Sequence, residues 1–212
     1  MKHKHTILVT SFLVLIPILA GLLLWQRLPE ELPIHFNAEG NADNWGSKTF
    51  VVFGMPLFLL AMHLLCTFLT LHDPKKQNIS DKMFFLTAMI IPVTSLIGAV
   101  LTYSGALGLD ISVNMVMHLF LGLLFVIIGN YMPKSRQNYT IGIKLPWTLS
   151  DSHNWNRTHR FAGILWVFCG LVLLINAFSN IIFLPFIVIL LAVVLPVLYS
   201  FLLYRKQKTE DN

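Results

Sequence analysis

A basic and aromatic segment between two apolar stretches holds the residues of this sequence that are best suited to binding chemistry. Residues 130–160 read NYMPKSRQNYTIGIKLPWTLSDSHNWNRTHR, and we refer to them as the motif segment. Guanidinium and ammonium groups bind phosphates and carboxylates, and tryptophan favours the boundary between lipid and water. The segment has one acid, Asp151, beside the bases Lys134, Arg136, Lys144, Arg157 and Arg160 and the tryptophans Trp147 and Trp155.

No catalytic or metal-binding constellation is recognisable in the sequence. H-E-x-x-H, the Walker phosphate loop and G-x-S-x-G are absent, so no nucleophile can be paired with a base. Cys66 and Cys169 fall in apolar stretches without zinc spacing. Residues 37–43 alternate polar groups as calcium loops do, but Lys48 stands where a bidentate glutamate is needed. We therefore expect a non-enzyme with no catalytic residues, no metal and no cofactor.

The elements that position these residues are membrane-spanning helices. Of the 212 residues, 56% are hydrophobic and only 12% are charged, whereas soluble domains average roughly 25% charged residues. A bilayer core requires about 20 apolar residues per helix. We predict an all-α integral membrane fold: a six-transmembrane-helix bundle with a short outer loop domain and a basic cytoplasmic loop. The predicted spans are Ile7–Trp25, Phe50–Leu71, Met83–Ser104, Ser112–Tyr131, Phe161–Phe178 and Ile181–Tyr204.

The Lys and Arg residues predict the orientation of the spans. Of the 15, all but Arg27 and Lys48 fall in the N-terminus, the second and fourth connections, or the C-terminal tail. Positive residues are retained on the cytoplasmic side during insertion. We predict that both termini and the motif segment are cytoplasmic and that the loop 26–49 is extracellular. The basic charge is a topology signal, since no separate basic domain would bind nucleic acid directly.

We divide the chain into two parts. Residues 1–71 form an N-terminal helix pair with the extracellular loop 26–49, and residues 72–212 form a helical region with the cytoplasmic motif segment 130–160. The first span follows lysines, as a signal peptide does, but it is too long and lacks a cleavage site. In the outer loop, Pro29 and Pro33 favour extended backbone, and NAEGNADNWG is rich in turn formers. Two interpretations stay open there: a small folded cap that recognises something outside, or a plain connection.

The motif segment should begin as an irregular path and end as a helix. Pro133 stops the fourth span, and Gly142 and Pro146 favour a turned, extended chain. Ser150, Asp151 and Ser152 are N-cap candidates for a helix that continues into the fifth span. Helical spacing then places His153, Arg157 and Arg160 on one stripe and Trp155, His159 and Trp166 on another. The first stripe would meet lipid headgroups or an acidic partner, and the second would pack beneath the bundle.

Two functions of the motif segment remain open on this pattern: membrane anchoring alone, or anchoring together with the docking of a partner. A small-molecule or ion transporter is a further alternative, because His63, His118, Asn114 and Asn176 lie in or near the spans. Acids are missing from the span cores, however, and histidines without carboxylates make a poor relay. We expect these polar groups to form hydrogen bonds between helices.

Two stretches resemble the SdpI/YfhL family of bacterial membrane proteins. LPEELPIHFNAEGNADNWGSK is similar to that family's N-terminal segment, and GNYMPKSRQNYTIGIKLPWTLSDSHNWNRTHRFAG to its second signature. Lys144 and Leu145 depart from the usual Arg and Thr, so the planar fork of arginine is lost. The matching positions are Asn130, Pro133, Asn138, Gly142, Ile143, Pro146, Trp147, Thr148, Leu149, Trp155, Arg160 and Gly163.

The resemblance implies a bacterial cell-membrane protein that gives immunity to a secreted killing peptide. It also implies a signalling receptor that sequesters a soluble repressor at the membrane. The expected partners are thus the lipid bilayer, an extracellular peptide toxin and a cytoplasmic repressor. The expected docking residues are Asn130, Pro133, Asn138, Gly142, Ile143, Lys144, Pro146, Trp147, Thr148, Trp155, Arg157 and Arg160. The expected extracellular recognition residues are Pro33, His35, Phe36, Gly40, Asp43 and Trp45.

Overall fold

The computed structural model describes residues 3–210 and has the predicted fold class, a six-helix membrane protein. Lys2, which the charge distribution includes, lies outside the described residues. A π-helical turn at Phe50–Gly54 leads into the second long helix. The helices are α1 (Lys4–Leu23), α2 (Met55–Leu71), α3 (Asp81–Ala106), α4 (Val113–Tyr131), α5 (Pro146–Ser150), α6 (Ser152–Ser179) and α7 (Leu184–Glu210).

Helix α6 begins before the apolar span that it contains. The Asp151 carboxylate accepts the backbone N–H groups of His153 and Asn154, each at 2.8 Å. These bonds satisfy donors that the first turn of a helix leaves unpaired. The prediction that Asp151 is an N-cap residue is confirmed. The prediction that a helix starts there and continues into the fifth span is also confirmed.

The first compact unit comprises residues 1–71 and 84–114. Most of α3 therefore groups with the N-terminal helices rather than with the region after residue 72. Two long-range bonds explain this grouping: Ser95 donates to the Val14 carbonyl at 3.1 Å, and Tyr103 donates to the Pro17 carbonyl at 3.0 Å. The buried core of this unit consists of Leu28, Leu32, Val51, Val52 and Tyr103.

The outer loop contains a β-hairpin that the sequence patterns did not predict. Strand β1 (Glu31–Phe36) pairs antiparallel with β2 (Ala42–Ser47), and the pairing is irregular around His35. In the turn, the Asn37 side chain accepts the N–H groups of Glu39 at 3.1 Å and Asn41 at 2.9 Å. Gly40 takes a left-handed φ of 87°, which glycine adopts without steric cost.

The second compact unit comprises residues 72–83 and 115–212. Within it, α4 and α6 approach so closely that glycine is required at the crossing. A Cβ on Gly129 would lie 2.7 Å from the Val167 nitrogen, and one on Gly170 would lie 2.6 Å from the Gly122 carbonyl oxygen. Small residues at helix contacts are typical of membrane proteins, where van der Waals packing drives association.

Helices α6 and α7 pack along most of their apolar length. The Trp166 indole N–H donates to the Ala192 carbonyl at 2.9 Å. Helix α6 ends at Ser179 and is followed by the C-cap residue Asn180, which adopts a left-handed φ of 48°. The buried cluster between the two helices consists of Cys169, Leu173, Val188 and Ala192.

Candidate functional site

The irregular part of the motif segment is organised by Asn138, whose side chain is 1% exposed. Its amide donates to the Arg136 carbonyl at 2.8 Å and to the Ile141 carbonyl at 3.0 Å. Its oxygen accepts the N–H groups of Thr140 at 3.0 Å and Ile141 at 2.6 Å. One buried amide thus provides the hydrogen bonds that a regular element would supply.

Asp73, in the connection between α2 and α3, anchors this turn from a distant part of the chain. It is buried, and its Oδ2 accepts the Tyr139 N–H and the Thr140 hydroxyl, both at 2.8 Å. Its Oδ1 accepts the Lys75 N–H at 2.7 Å. Because each carboxylate oxygen has a partner, the cost of burying the charge is offset.

Gln137 links the same connection to helix α5. Its amide N–H groups donate to the carbonyls of Thr148 at 3.0 Å and Leu149 at 2.8 Å. Its oxygen accepts a bond from the Lys75 ammonium at 2.6 Å. The turn is therefore held on two sides, by residues 73–75 and by α5.

Trp155 and His159 form the buried floor of the motif segment. Their rings stack at 4.0 Å, and the Trp155 indole N–H donates to the Ser135 carbonyl at 2.8 Å. His159 Nε2 accepts the Ile143 N–H at 2.9 Å, and its Nδ1 lies 2.8 Å from the Trp155 carbonyl oxygen. This geometry requires a neutral imidazole with its proton on Nδ1.

Gly142 passes directly over this floor. Its φ is 126°, and a Cβ would overlap His159 Nε2 and lie 2.9 Å from the Trp155 ring. Glycine is required at this position for two reasons: its φ is positive, and no room is left for a Cβ. Its role is to let the backbone lie flat on two buried rings.

Helix α5 is fastened to α6 and α7. The Thr148 hydroxyl accepts the Leu145 N–H at 2.9 Å at the helix start. The Trp147 indole N–H donates to the Ser200 hydroxyl at 2.9 Å, and its ring stacks on Tyr204 at 5.8 Å. The buried Asn154 amide also donates to the Ser200 carbonyl, at 2.9 Å. Trp147 is therefore half-buried against α7 rather than free on the surface.

The two predicted stripes of α6 have the expected environments. His153, Arg157 and Arg160 are exposed, whereas Trp155 and His159 are buried. At the N-cap, partial burial raises the pKa of the Asp151 carboxyl. The backbone N–H groups of Asn154 and His153, the Gln207 side chain and the nearby His153 imidazole together outweigh burial and lower this pKa below its usual value. The carboxylate form is the one that these N–H groups stabilise.

The predicted docking residues separate into surface and interior positions. The buried members hold the segment together and present no surface in this conformation. Half-buried positions are Gly142, Ile143 and Trp147, and buried positions are Asn138, Thr148 and Trp155. The exposed members are Asn130, Pro133, Lys144, Pro146, Arg157 and Arg160. Docking stays a prediction, and of the predicted residues only the exposed ones offer a surface for it. Lys134, Arg136 and Tyr139, which were not among the predicted docking residues, are exposed in the same segment.

The hairpin of residues 31–47 presents a second candidate surface. His35 Nδ1 pairs with the Asp43 carboxylate at 2.5 Å, and the two side chains are 65% and 43% exposed. Trp45 on β2 is 52% exposed. Pro33 is buried, and its carbonyl accepts the Thr102 hydroxyl at 3.0 Å. Phe36 is half-buried, and Gly40 occupies the turn.

Lys48 fixes the base of this hairpin. Its side chain is 9% exposed, and its ammonium donates to the Leu28 carbonyl at 3.1 Å and to Glu30 at 2.9 Å. The same ammonium lies 4.9 Å from the centre of the Trp25 ring. Buried charges are stable when they are hydrogen-bonded in this way. The hairpin is therefore a folded unit rather than a loose connection.

The histidines within the spans each pair with a polar residue of a neighbouring helix. His63 Nε2 lies 2.9 Å from the Thr10 hydroxyl, which joins α2 to α1, and His118 Nε2 lies 3.4 Å from the Asn176 amide, which joins α4 to α6. The prediction of hydrogen bonds between helices is confirmed for these residues. Asn114 differs, because its amide donates to the Ala38 carbonyl in the hairpin turn at 3.2 Å.

Several supporting residues escape sequence reasoning. They are Asp73, Gln137, Asn154 and Ser200. None is among the positions that match the family signature, and their partners are distant in sequence or buried. Asp73 offered one signal: it is an acid followed by proline in a connection otherwise rich in lysine.

Comparison with known proteins confirms the resemblance. Residues 134–200 match the model of the SdpI/YfhL protein family, and residues 12–60 match a domain of unknown function, DUF1648. The hairpin of residues 31–47 therefore lies in the region that matches DUF1648, not in the region that matches the SdpI/YfhL model. The chain is 29% identical over 202 residues to the Immunity protein SdpI of Bacillus subtilis (strain 168), covering 94% of this chain and 96% of the relative. No solved structure matches the chain.

Proposed function

We propose that this chain, whose residues 134–200 match the model of the SdpI/YfhL protein family, is a membrane immunity protein against a secreted antimicrobial peptide. The observation that carries the proposal is the similarity to an immunity protein over 94% of the chain. The six apolar helices place that activity in the membrane. The proposal needs no catalytic step, since protection by binding requires only complementary surfaces.

The distribution of positive charge supports one orientation in the bacterial cell membrane. Both termini and the motif segment are on the cytoplasmic side, where most Lys and Arg residues fall. The hairpin then faces the exterior, where a secreted peptide arrives. In this orientation, the motif segment faces the cytoplasm and the hairpin faces the outside of the cell.

The hairpin is the proposed site of contact with the peptide. His35, Asp43 and Trp45 project from a folded element that Lys48 and the asparagine turn hold in shape. An exposed aromatic beside a hydrogen-bonded histidine–aspartate pair offers both an apolar contact and a polar one, a combination common at binding hot spots. Pro33 and Gly40 contribute by shaping the backbone rather than by contact.

The exposed bases of the motif segment are the proposed dock for a soluble repressor. Lys134, Arg136, Lys144 and Tyr139 are all exposed, in a segment whose turn the buried Asn138 organises. A preorganised turn reduces the ordering cost of association. Basic residues favour a partner with an acidic surface.

Complementation tests the immunity proposal. A Bacillus subtilis strain that lacks its own Immunity protein SdpI and is exposed to the agent against which that protein protects should survive when this chain is expressed, and it should be killed with empty vector. The His35→Ala/Trp45→Ala variant should protect less, and the control Asn44→Ala should protect fully. Killing at the vector level, with the chain present in the membrane fraction, contradicts the proposal.

Recruitment tests the docking proposal separately. Lys144→Glu/Arg136→Glu should release a repressor from the membrane, because two attractive charges become repulsive. The matched control is Lys76→Glu, an exposed base outside the motif segment. Trp147→Ala is less informative, because it also removes the contact between α5 and α7. Unchanged membrane localisation of the repressor in the double variant contradicts docking at these bases.

A further inference from the structure

A groove on the exposed side of α6 is not used by the contacts described above. It has a volume of about 490 Å³. Its lining residues are His153, Asn156, Arg157, Arg160, Phe161, Ile164 and Tyr199. The first four are polar or basic, and the rest are apolar or aromatic. Phe161 stacks on Tyr199 of α7 at 4.6 Å and closes one side of the groove.

The two arginines of the groove lack an acidic partner. In the described part of the chain, neither Arg157 nor Arg160 pairs with a carboxylate. Asp151 begins the same helix, but its oxygens are bound to the N–H groups of His153 and Asn154. The guanidinium groups are therefore available for an external anion, and arginine binds phosphate through paired parallel hydrogen bonds.

An apolar stripe continues along α6 from the basic end of the groove. Successive members are three or four positions apart, so they lie on one face of the helix. The stripe consists of Ile164 (70% exposed), Phe168 (65%), Leu171 (48%), Ile175 (68%) and Phe178 (76%). A soluble partner would not meet such a stripe, because it belongs to the membrane-spanning part of the helix.

We propose that this groove binds one anionic phospholipid, with its phosphate on Arg157 and Arg160 and an acyl chain along the Ile164–Phe178 stripe. The order of groups along α6, cationic and then apolar, matches the order of groups in the lipid. Basic pockets at the membrane surface bind anionic headgroups in this way. The inference rests on the membrane fold and is independent of the proposed immunity function.

Native mass spectrometry of the full chain in neutral detergent tests the site. Titration with dioleoyl phosphatidylglycerol should give one tightly retained lipid, and phosphatidylcholine should not replace it. Arg157→Gln/Arg160→Gln should bind phosphatidylglycerol roughly 30-fold more weakly, as expected for the loss of two interfacial bases. The matched control Lys76→Gln/Lys82→Gln removes the same charge at two exposed bases outside the groove and should bind as the unmodified chain does.

Competition on the unmodified chain needs no variant. Excess inorganic phosphate or a soluble polyglutamate peptide should leave the lipid bound. Displacement by phosphate would identify a free-anion site, and displacement by the peptide would identify a dock for an acidic protein; either result overturns the lipid proposal. Equal retention of phosphatidylcholine, or unchanged affinity in the arginine variant, overturns it as well.

Discussion

The Thr140 hydroxyl donates to the buried carboxylate of Asp73 at 2.8 Å, across 67 positions of sequence. The neighbouring N–H of Tyr139 reaches the same oxygen. The connection before α3 thereby holds the signature segment that follows α4. This contact makes the motif segment a tertiary structure rather than a flexible loop.

Replacement of Asp73 by asparagine should loosen the motif segment. The carboxylate accepts three hydrogen bonds through two oxygens, and an amide can accept through only one. We expect a loss of about 1.5–3 kcal/mol in unfolding free energy, the usual range for bonds to a charged group. Thermal unfolding in detergent measures it.

The matched control for that change is Asp110→Asn, an exposed acid replaced by its amide. It should leave the unfolding temperature unchanged. Equal stability of the Asp73 and Asp110 variants would show that the Asp73 contacts contribute nothing.

Gly142→Ala should destabilise the protein far more than Gly98→Ala. At position 142 a Cβ meets His159 and Trp155 at a positive φ, whereas at position 98 nothing lies within 4 Å. A strained backbone of this kind costs about 1–3 kcal/mol, and alanine within a helix gains about 0.5–1 kcal/mol over glycine. The unfolding temperatures of the two variants test this prediction. Equal shifts would contradict the close packing of Gly142 on His159 and Trp155.

Acid should weaken the start of α6 through Asp151. The pKa of this carboxyl is lower in the folded state, so its stabilising contribution is complete above the unfolded-state pKa and is lost as pH falls through the folded one. Asp151→Asn keeps an N-cap acceptor but cannot titrate, so its stability should depend less on acidity over this range. Unfolding temperatures measured from neutral to acidic pH compare the two proteins, and parallel curves would exclude Asp151 as the titrating group.

Cysteine labelling should report opposite compartments for the two surfaces. Asn44→Cys, in the hairpin, should react with a membrane-impermeant maleimide on intact cells. Arg136→Cys, in the motif segment, should react only after permeabilisation. The native Cys66 and Cys169 lie within membrane-spanning helices and serve as the background. Labelling of Arg136→Cys from outside would reverse the proposed orientation.

Local patterns predicted the six long helices, the Asp151 cap and the two faces of α6, because each depends on residues within one or two turns. The expectation of an extended chain at Pro146 was wrong, because this proline occupies the first turn of the short helix α5. The hairpin was missed for a physical reason. Its strands are short, one contains Pro33, and pairing around His35 is irregular, so no clean alternation marks them. The turn residues between the strands were recognised, but not the pairing that they allow.

The site was only partly predictable. The motif residues were found by resemblance, but the burial of Asn138 and Thr148 was not predicted: both were expected in a docking surface, and both prove to be interior. Trp155 was expected both in the docking set and on the buried stripe of α6, and only the second expectation fits its position. Asp73 reaches Tyr139 across 66 positions, a distance at which sequence spacing carries no information about contact. Sequence therefore identified which residues matter more readily than what each one does.

Toxin challenge of sensitive cells that express this chain alone tests the central claim most directly. The experiment measures cell survival across a dilution series of the purified antimicrobial peptide. Membrane insertion of the chain is verified in the same cells. The account predicts that the lethal concentration rises well above that of cells carrying empty vector. Superimposed killing curves, with the chain correctly inserted, would contradict it.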